Sequence, residues 1–350
     1  MIKKILKIIL VLIILLIIAA IAIPYIYKDE IVDAVKTEIN KNVDATVDFE
    51  DVNLSLFKSF PDFHFGMNGL SVTGIEEFAG YKLIEADEIG LSFDLMSVIS
   101  SEKPIQINSI SLQEPAIHIK VLKNGKANYD IVKPSESAEQ SSDELNFVIQ
   151  LEEYSIENAS IIYDDRLGRT YAQLEGLDHE GSGAFTQDIF DVNTETTVKQ
   201  LTAKSGGITY LNKVNANLDL DLNADMPNSK FTIKDNSLSI NALKVNTEGY
   251  VQMVGDKINV DIKYDAPKSE FKSLLSMIPS AYTSDFADVQ ADGSLQLDGF
   301  VRGTYDAVKE SLPAFLLNLK VADGSFKYPD LPLGVNNINT TTTINSPSSD

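Results

Sequence analysis

The sequence predicts a mainly β protein in which an N-terminal transmembrane helix precedes an elongated antiparallel sheet with a few short helices. Three observations support this fold class. Residues 8–27 contain no charged side chain and are almost entirely Ile, Leu, Val and Ala. Most of the remaining chain alternates apolar and polar residues with a period of two, as strands with one buried face do. Segments with helical periodicity are too few to supply the crossovers of a parallel sheet.

The N-terminal segment, residues 1–27, is predicted to be an uncleaved membrane anchor. A helix of about twenty residues rises about 30 Å, the thickness of the hydrocarbon layer of a bilayer. Lys3, Lys4 and Lys7 precede the apolar run, so the positive-inside rule places the N-terminus in the cytoplasm and the main body outside it. The anchor residues expected at lipid or at the membrane interface are Ile8, Leu12, Leu16, Ile23, Tyr25 and Tyr27.

A cleaved signal peptide is the alternative for this segment. Ala20-Ile21-Ala22 resembles a cleavage site flanked by small residues. The apolar run is longer than that of an ordinary signal peptide and continues to Tyr27, which favours the anchor. Under either alternative the main body leaves the cytoplasm.

The chain after the anchor divides into three predicted parts. Residues 28–134 are expected to form a short amphipathic helix, with Ile31, Val35 and Ile39 on one side, followed by a first β region. Residues 135–144 are rich in serine and acidic side chains, which predicts a linker or long loop. Residues 145–350 predict an extended antiparallel β region that continues beyond the end of this sequence.

Two local signals give more specific expectations. Asn124-Gly125 favours a type I′ hairpin, so residues 127–132 are predicted to return as a strand. Phe271, Leu274 and Ile278 have helical spacing between two prolines. That spacing predicts a short helix within residues 267–279 that caps the sheet.

Composition excludes several classes of function. The 51 acidic and 29 basic residues give a net charge of −22, which repels phosphate backbones, so no nucleic-acid partner is expected. The absence of cysteine excludes thiolate catalysis and cysteine-bound metals. His64, His118 and His179 lie far apart in sequence, so we expect no histidine-led metal site and no cofactor.

Two acidic motifs are interpreted as structural. Residues 219–225 resemble the opening of a calcium-binding loop, but Ala224 replaces the required glycine and Lys230 the bidentate glutamate. Asp164 and Asp165 end a strand, where consecutive side chains point to opposite faces and do not converge on a substrate. No catalytic residue is therefore predicted, and the chain is not expected to be an enzyme.

The apolar face of the strands is the main functional candidate. Two packed sheets could cover it, or a curled sheet could leave a trough for another hydrophobic object, and the periodicity alone does not distinguish these arrangements. Ordinary core packing is the alternative role for each residue on this face. The candidate lipid-groove residues are Leu218, Leu220, Leu222, Val260, Ile262, Leu295 and Leu297.

Three segments behind the anchor, taken in their order, resemble the AsmA family of bacteria with two membranes. The first is residues 47–74, a strand–Phe-Pro–strand arrangement. The second is residues 156–165 (IENASIIYDD), and the third is residues 324–332 (GSFKYPDLP). Each motif is mostly turn chemistry, so the resemblance depends on their combination with the anchor.

The resemblance implies an inner-membrane anchor and a periplasmic body with a curled β-groove, similar to that of bridge-like lipid-transfer proteins. It implies a role in outer-membrane biogenesis without enzymatic activity, with phospholipid or other lipid acyl chains as the bound partner. A tethered scaffold that binds other envelope proteins is the alternative. Because family members generally run longer, the sequence is expected to be an N-terminal portion whose last strand has an edge that more chain would pair.

Overall fold

The computed structural model describes residues 28–56, 58–100, 105–133, 147–255, 257–275, 289–306, 311–328 and 332–347. The predicted anchor (residues 1–27) and the predicted linker (residues 135–144) lie outside these ranges. No helix within the described ranges is both long and apolar enough to cross a bilayer. The chain forms two compact units, one from the described residues of 1–118 and 126–149, the other from those of 119–125 and 150–350.

The fold is mainly β, as predicted. The described residues form sixteen strands and three α-helices. The helices are α1 (Lys28–Asn42), α2 (Leu95–Ile99) and α3 (Phe271–Leu275). The strands are β1 (Ala45–Asp48), β2 (Asp51–Ser55), β3 (Phe63–Gly74), β4 (Lys82–Phe93), β5 (Ile105–Gln113), β6 (Ala116–Val121), β7 (Phe147–Asp165), β8 (Thr170–Gly183), β9 (Ile189–Ser205), β10 (Ile208–Asp225), β11 (Lys230–Ile240), β12 (Leu243–Val254), β13 (Lys257–Glu270), β14 (Gln290–Asp306), β15 (Ala314–Lys327) and β16 (Val335–Ser346).

The first unit is built around β3, which pairs antiparallel with β1, β2 and β4, and β4 pairs in turn with β5. The predicted amphipathic helix is present as α1, and it covers one face of these strands. Val32 is buried there, and Val35 and Ile39 pack beside it. The core cluster also contains Phe49, between β1 and β2, and the strand residues Ala45, Val47, Leu70, Val72, Leu83 and Ala86.

A side-chain amide fixes α1 to β1. The Asn40 amide nitrogen donates to the Val47 carbonyl at 2.8 Å, and the Val47 N–H donates to the Asn40 amide oxygen at 2.8 Å. The amide therefore replaces a neighbouring strand for that residue, satisfying both backbone groups. Lys36 adds an ion pair with Asp48 at 2.6 Å.

The second unit is a meander in which each strand from β7 to β16 pairs antiparallel with the next. Its largest core cluster lies under the short helix α3. Phe271 and Leu275 of the helix are buried against Leu243, Leu295 and Val321 of the strands. The prediction of a capping helix is therefore confirmed for Phe271–Leu275, although β13 continues past Pro267 to Glu270.

The prediction that residues 127–132 return as a strand is wrong. The Asn128 side-chain amide donates to the His118 carbonyl at 2.7 Å, and the Asp130 N–H donates to the Ala127 carbonyl at 3.3 Å. These local bonds turn the backbone away from a ladder. Val132 keeps a single isolated bridge, to Val43.

Candidate functional site

The apolar face of the second unit is the most extensive candidate surface. Along β10, Leu218, Leu220 and Leu222 are half-buried, whereas the intervening Asp219 and Asp221 are exposed. Successive side chains of a strand point to opposite faces, so the three leucines share one side of the sheet. Their half-burial shows that the described residues cover this side only in part.

The strand registers place apolar side chains of neighbouring strands in rows across this face. Directly opposed residues of an antiparallel pair lie on the same side and are neighbours in space. One row contains Leu222, Ile233, Gly249, Ile262 and Val301. A second row contains Ala224, Phe231, Val251 and Val260. The face thus joins strands that are distant in sequence.

The structure places all seven candidate lipid-groove residues on this side but in two environments. Leu295 is 1% exposed beneath α3, and Leu297 packs against the same cluster. Leu218, Leu220, Leu222, Val260 and Ile262 stay half-buried. The face therefore has a covered region, formed by the cluster under α3, and an open region formed by the other five candidates and their row neighbours.

The open region ends in exposed apolar side chains. Ile258 lies near the start of β13, on the apolar side of the sheet. It opposes Met253 of β12 and Tyr305 of β14. These three side chains are between 39% and 49% exposed. Phe315, opposite Val301, is 37% exposed. Large side chains this exposed on one contiguous side form an apolar patch of the kind that marks interaction surfaces.

The opposite side of the same strands is charged. Lys234 contacts Asp191 at 2.6 Å, and Arg302 contacts Asp261 at 2.9 Å. The hydrogen bonds from Lys234 and Asn223 lower the pKa of Asp191, which is fully exposed. Exposed pairs of this kind contribute little to stability because water screens them, so this side provides solubility more than stability.

A buried polar cluster occupies the first unit. His64 Nε2 lies 3.2 Å from Glu88 Oε1, and Glu88 also pairs with Lys58. The Asn53 amide donates to Glu88 Oε2 at 3.2 Å. Gly66 and Gly90 oppose each other beneath these side chains. A Cβ at either glycine would lie 2.4–2.6 Å from a side-chain atom of the cluster or its neighbours, so their lack of a side chain makes the room.

The cluster buries the Glu88 carboxylate, whereas its partner Lys58 stays partly exposed. Burial raises the pKa of Glu88, but hydrogen bonds from Lys58 and Asn53 outweigh it, and the net pKa lies below its usual value. Burial and the Lys58 charge lower the pKa of His64. The neutral imidazole faces the Ser59 hydroxyl at 3.5 Å, longer than the 2.6–3.2 Å expected of a nucleophile and its base. The contacts join residues 58 and 59 to β3 and β4.

A second polar group lies on the apolar face itself. His179 of β8 contacts the Tyr154 hydroxyl through Nε2 at 3.1 Å and the Thr196 hydroxyl through Nδ1 at 2.8 Å. Burial lowers the pKa of His179 and raises that of Tyr154, so both are neutral at pH 7. We name these three residues the hydroxyl–imidazole trio. Sequence reasoning missed it, because the three strands meet only through their register.

The acidic motifs serve as turns and strand, as interpreted from the sequence. Asp164 pairs with Arg166 at 2.8 Å, and Asp165 Oδ1 accepts the N–H groups of Leu167 and Gly168 at 2.9 and 2.8 Å. The segment 219–225 lies entirely within β10. Within the part of the chain that the structure describes, no group of three His, Asp or Glu side chains could hold a metal ion.

Comparison with known proteins gives one family. The model of the AsmA family matches residues 1–277, which includes the first unit and the second unit through α3. No curated protein matches the chain significantly. What these comparisons say about the chain therefore comes from the family match.

Proposed function

The chain belongs to the AsmA family, and from that premise we propose that it is a non-enzymatic protein of the bacterial envelope that shields lipid acyl chains on the apolar face of its second unit. The observation that carries the proposal is the open region of this face. Its leucine, isoleucine and valine side chains lie on one side of neighbouring strands, and the described residues cover them only in part.

The energetic argument concerns the transfer of acyl chains through water. Each methylene exposed to water costs about 0.8 kcal/mol, so a two-chain lipid costs on the order of 20 kcal/mol. A protein face that replaces water along the chains lowers this barrier without breaking a bond. Phospholipid movement between membranes in outer-membrane biogenesis is the process that such a face would serve.

The location proposed for the protein is the inner membrane, with the main body in the periplasm. Support comes from the sequence of residues 1–27, with lysines before an uncharged apolar run. A tether at the membrane would keep the apolar face near its source of lipid. Nucleic acid is not a proposed partner, because the net charge is −22.

The absence of catalysis is also part of the proposal. Lys58 and Glu88 of the buried polar cluster pair with each other, and Asp164 and Asp165 are occupied by Arg166 and by backbone N–H groups. A change of Asp164 or Asp165 to alanine should therefore leave lipid handling unchanged. Loss of a biochemical activity in a folded variant of either residue would contradict the non-enzymatic part.

The test compares two adjacent positions of β10 that point to opposite faces. A photocrosslinking amino acid is placed at Leu220 on the apolar side or at Asp219 on the charged side of the full chain, and the cells are irradiated. We expect a lipid adduct, identified by mass spectrometry, at position 220 and at least tenfold less at position 219. Ile262, in another row, should give the same result as Leu220.

The other outcomes distinguish the alternatives. A discrete protein adduct at positions 220 and 262 would support the scaffold that binds other envelope proteins. Equal lipid labelling at 219 and 220 would show that label comes from the surrounding membrane, and the shielding function would then be rejected.

A further inference from the structure

The apolar face carries a polar band between two apolar regions. On β7 to β10, the register aligns Ala159, Leu177, Val198 and Ala216 in an apolar row. Two residues farther along these strands, His179 and Thr196 oppose each other, and Tyr154 follows in the next row. Beyond them, Val192 and Leu222 continue the apolar face with Phe190. The trio therefore lies within the face and not at its charged reverse.

Among the residues that the structure describes, counting hydrogens shows that the trio has one donor more than it uses. A neutral histidine supplies one N–H and one acceptor nitrogen, and each hydroxyl supplies one hydrogen. The three hydrogens make two contacts, His179 to Tyr154 and His179 to Thr196. Whichever nitrogen carries the imidazole hydrogen, one hydroxyl hydrogen of Tyr154 or Thr196 remains for an additional acceptor.

Three other polar side chains on the same side of the sheet use their hydrogens within the protein. The Thr194 hydroxyl, two residues from Thr196 on β9, donates to the Leu220 carbonyl at 3.2 Å. The Thr247 hydroxyl donates to the Asn236 side-chain oxygen at 3.1 Å. The Tyr264 hydroxyl donates to the Leu316 carbonyl at 2.8 Å. The trio thus differs from these three side chains in having a hydrogen to offer.

We propose that Tyr154, His179 and Thr196 form a hydrogen-bond donor site for an acceptor oxygen at the polar end of a lipid whose acyl chain lies on the adjoining apolar rows. This inference rests on the proposed function and adds to it a recognised chemical group, a lipid ester or phosphate oxygen. Gly181 supports the site, because a Cβ there would lie 2.4 Å from the Tyr154 ring. The missing side chain lets that ring lie over β8.

The experiment measures the preference of the full chain, purified in mild detergent, for lipids with and without oxygen. Retention of radiolabelled monopalmitoylglycerol and of lysophosphatidylcholine is divided by retention of hexadecane, which has no acceptor. We expect the double variant Tyr154→Phe/Thr196→Val, which removes the proposed hydroxyl donor whichever tautomer His179 adopts, to lower both ratios about threefold to tenfold, as expected for one lost hydrogen bond. Thr196→Ser, which keeps the hydroxyl, should retain the wild-type ratios.

Thr194→Val is the matched control, because its hydroxyl lies on the same strand and side but donates to a backbone carbonyl. Its ratios should equal those of the wild type. The ring nitrogen signals of His179 should shift in NMR spectra on addition of monopalmitoylglycerol and not of hexadecane. Circular dichroism establishes that each variant is folded.

The failures of the two proposals are distinguishable. Wild-type protein that retains hexadecane and both oxygen-bearing lipids without preference would overturn the donor site and leave the shielding function standing. Retention of none of the three would overturn the shielding function and the donor site with it. A His179 shift with inorganic phosphate alone, and none with either lipid, would show an anion site that does not serve lipid.

Discussion

The strands β3 and β10 carry similar alternating patterns but reach different degrees of burial. On β3, His64, Gly66, Leu70 and Val72 are buried, and the residues between them are intermediate. On β10, the positions that alternate with exposed residues are mostly only half-buried, as at Leu218 and Leu220. The difference lies in what covers the strand and not in the strand itself.

The two units differ in how many helical residues cover their strands. In the first unit, α1 provides fifteen residues over β1, β3 and β4. In the second, the described part of α3 provides five residues for a ten-strand meander, and its backbone lies nearest to β13 and β14. The comparison teaches that a period of two identifies the apolar side but not whether the chain itself covers it.

The largest expected effect is the difference in unfolding free energy lost when each of two phenylalanines is changed to alanine. Phe49, 2% exposed beneath α1, loses its packing in Phe49→Ala, which should lower the free energy of unfolding by about 3–5 kcal/mol. Phe315 in the open region is 37% exposed, and Phe315→Ala should cost less than about 1.5 kcal/mol. Urea titrations followed by far-UV circular dichroism measure both, since the chain has no tryptophan. Equal losses would show that the open region is covered in solution.

A smaller contrast is expected between two leucines on the same side of one sheet. Leu295→Ala opens a cavity under α3 and should cost about 2–5 kcal/mol. Leu218→Ala removes a half-buried side chain and should cost less than about 1.5 kcal/mol, while reducing lipid retained by the purified chain. Hydrogen exchange of the second unit measures the stability difference. If Leu218→Ala proves as costly as Leu295→Ala, the boundary between the covered and open regions is wrong.

The smallest effect concerns the pH dependence of the covered unit. The pKa of His64 is lower in the folded state than its ordinary value of 6.5, so the unfolded state binds the proton first. Stability from this group is therefore present above pH 6.5 and is lost as the pH falls below it toward the folded pKa. The lowered pKa of Glu88 adds a loss that begins below its ordinary value of 4.5.

The control for this pH dependence is His64→Gln, compared with the wild type at each pH by urea titration. The variant should be less stable at pH 7.5, and the difference should shrink between pH 6.5 and 5. Any contribution of His179 cancels, because both proteins contain it. A difference that grows on acidification would contradict the assigned direction of the pKa shift.

Much of the architecture followed from local sequence patterns. Alternation at Leu218, Leu220 and Leu222 identified a one-faced strand, and the spacing of Phe271 and Leu274 identified a helix between strands. The same reasoning failed at residues 127–132, because the Asn128 side chain replaced the expected ladder with local bonds. The anchor at residues 1–27 stays a prediction, since it lies outside the described residues.

The sequence by itself determined which side chains of a strand share a face, because successive side chains of any strand point to opposite faces. Only the tertiary structure decided which of these faces is covered, since cover comes from elements far along the chain, such as α3 over Leu295. The same holds for the two histidine sites. His64 meets Glu88, and His179 meets Tyr154 and Thr196, through strand registers that no single segment contains.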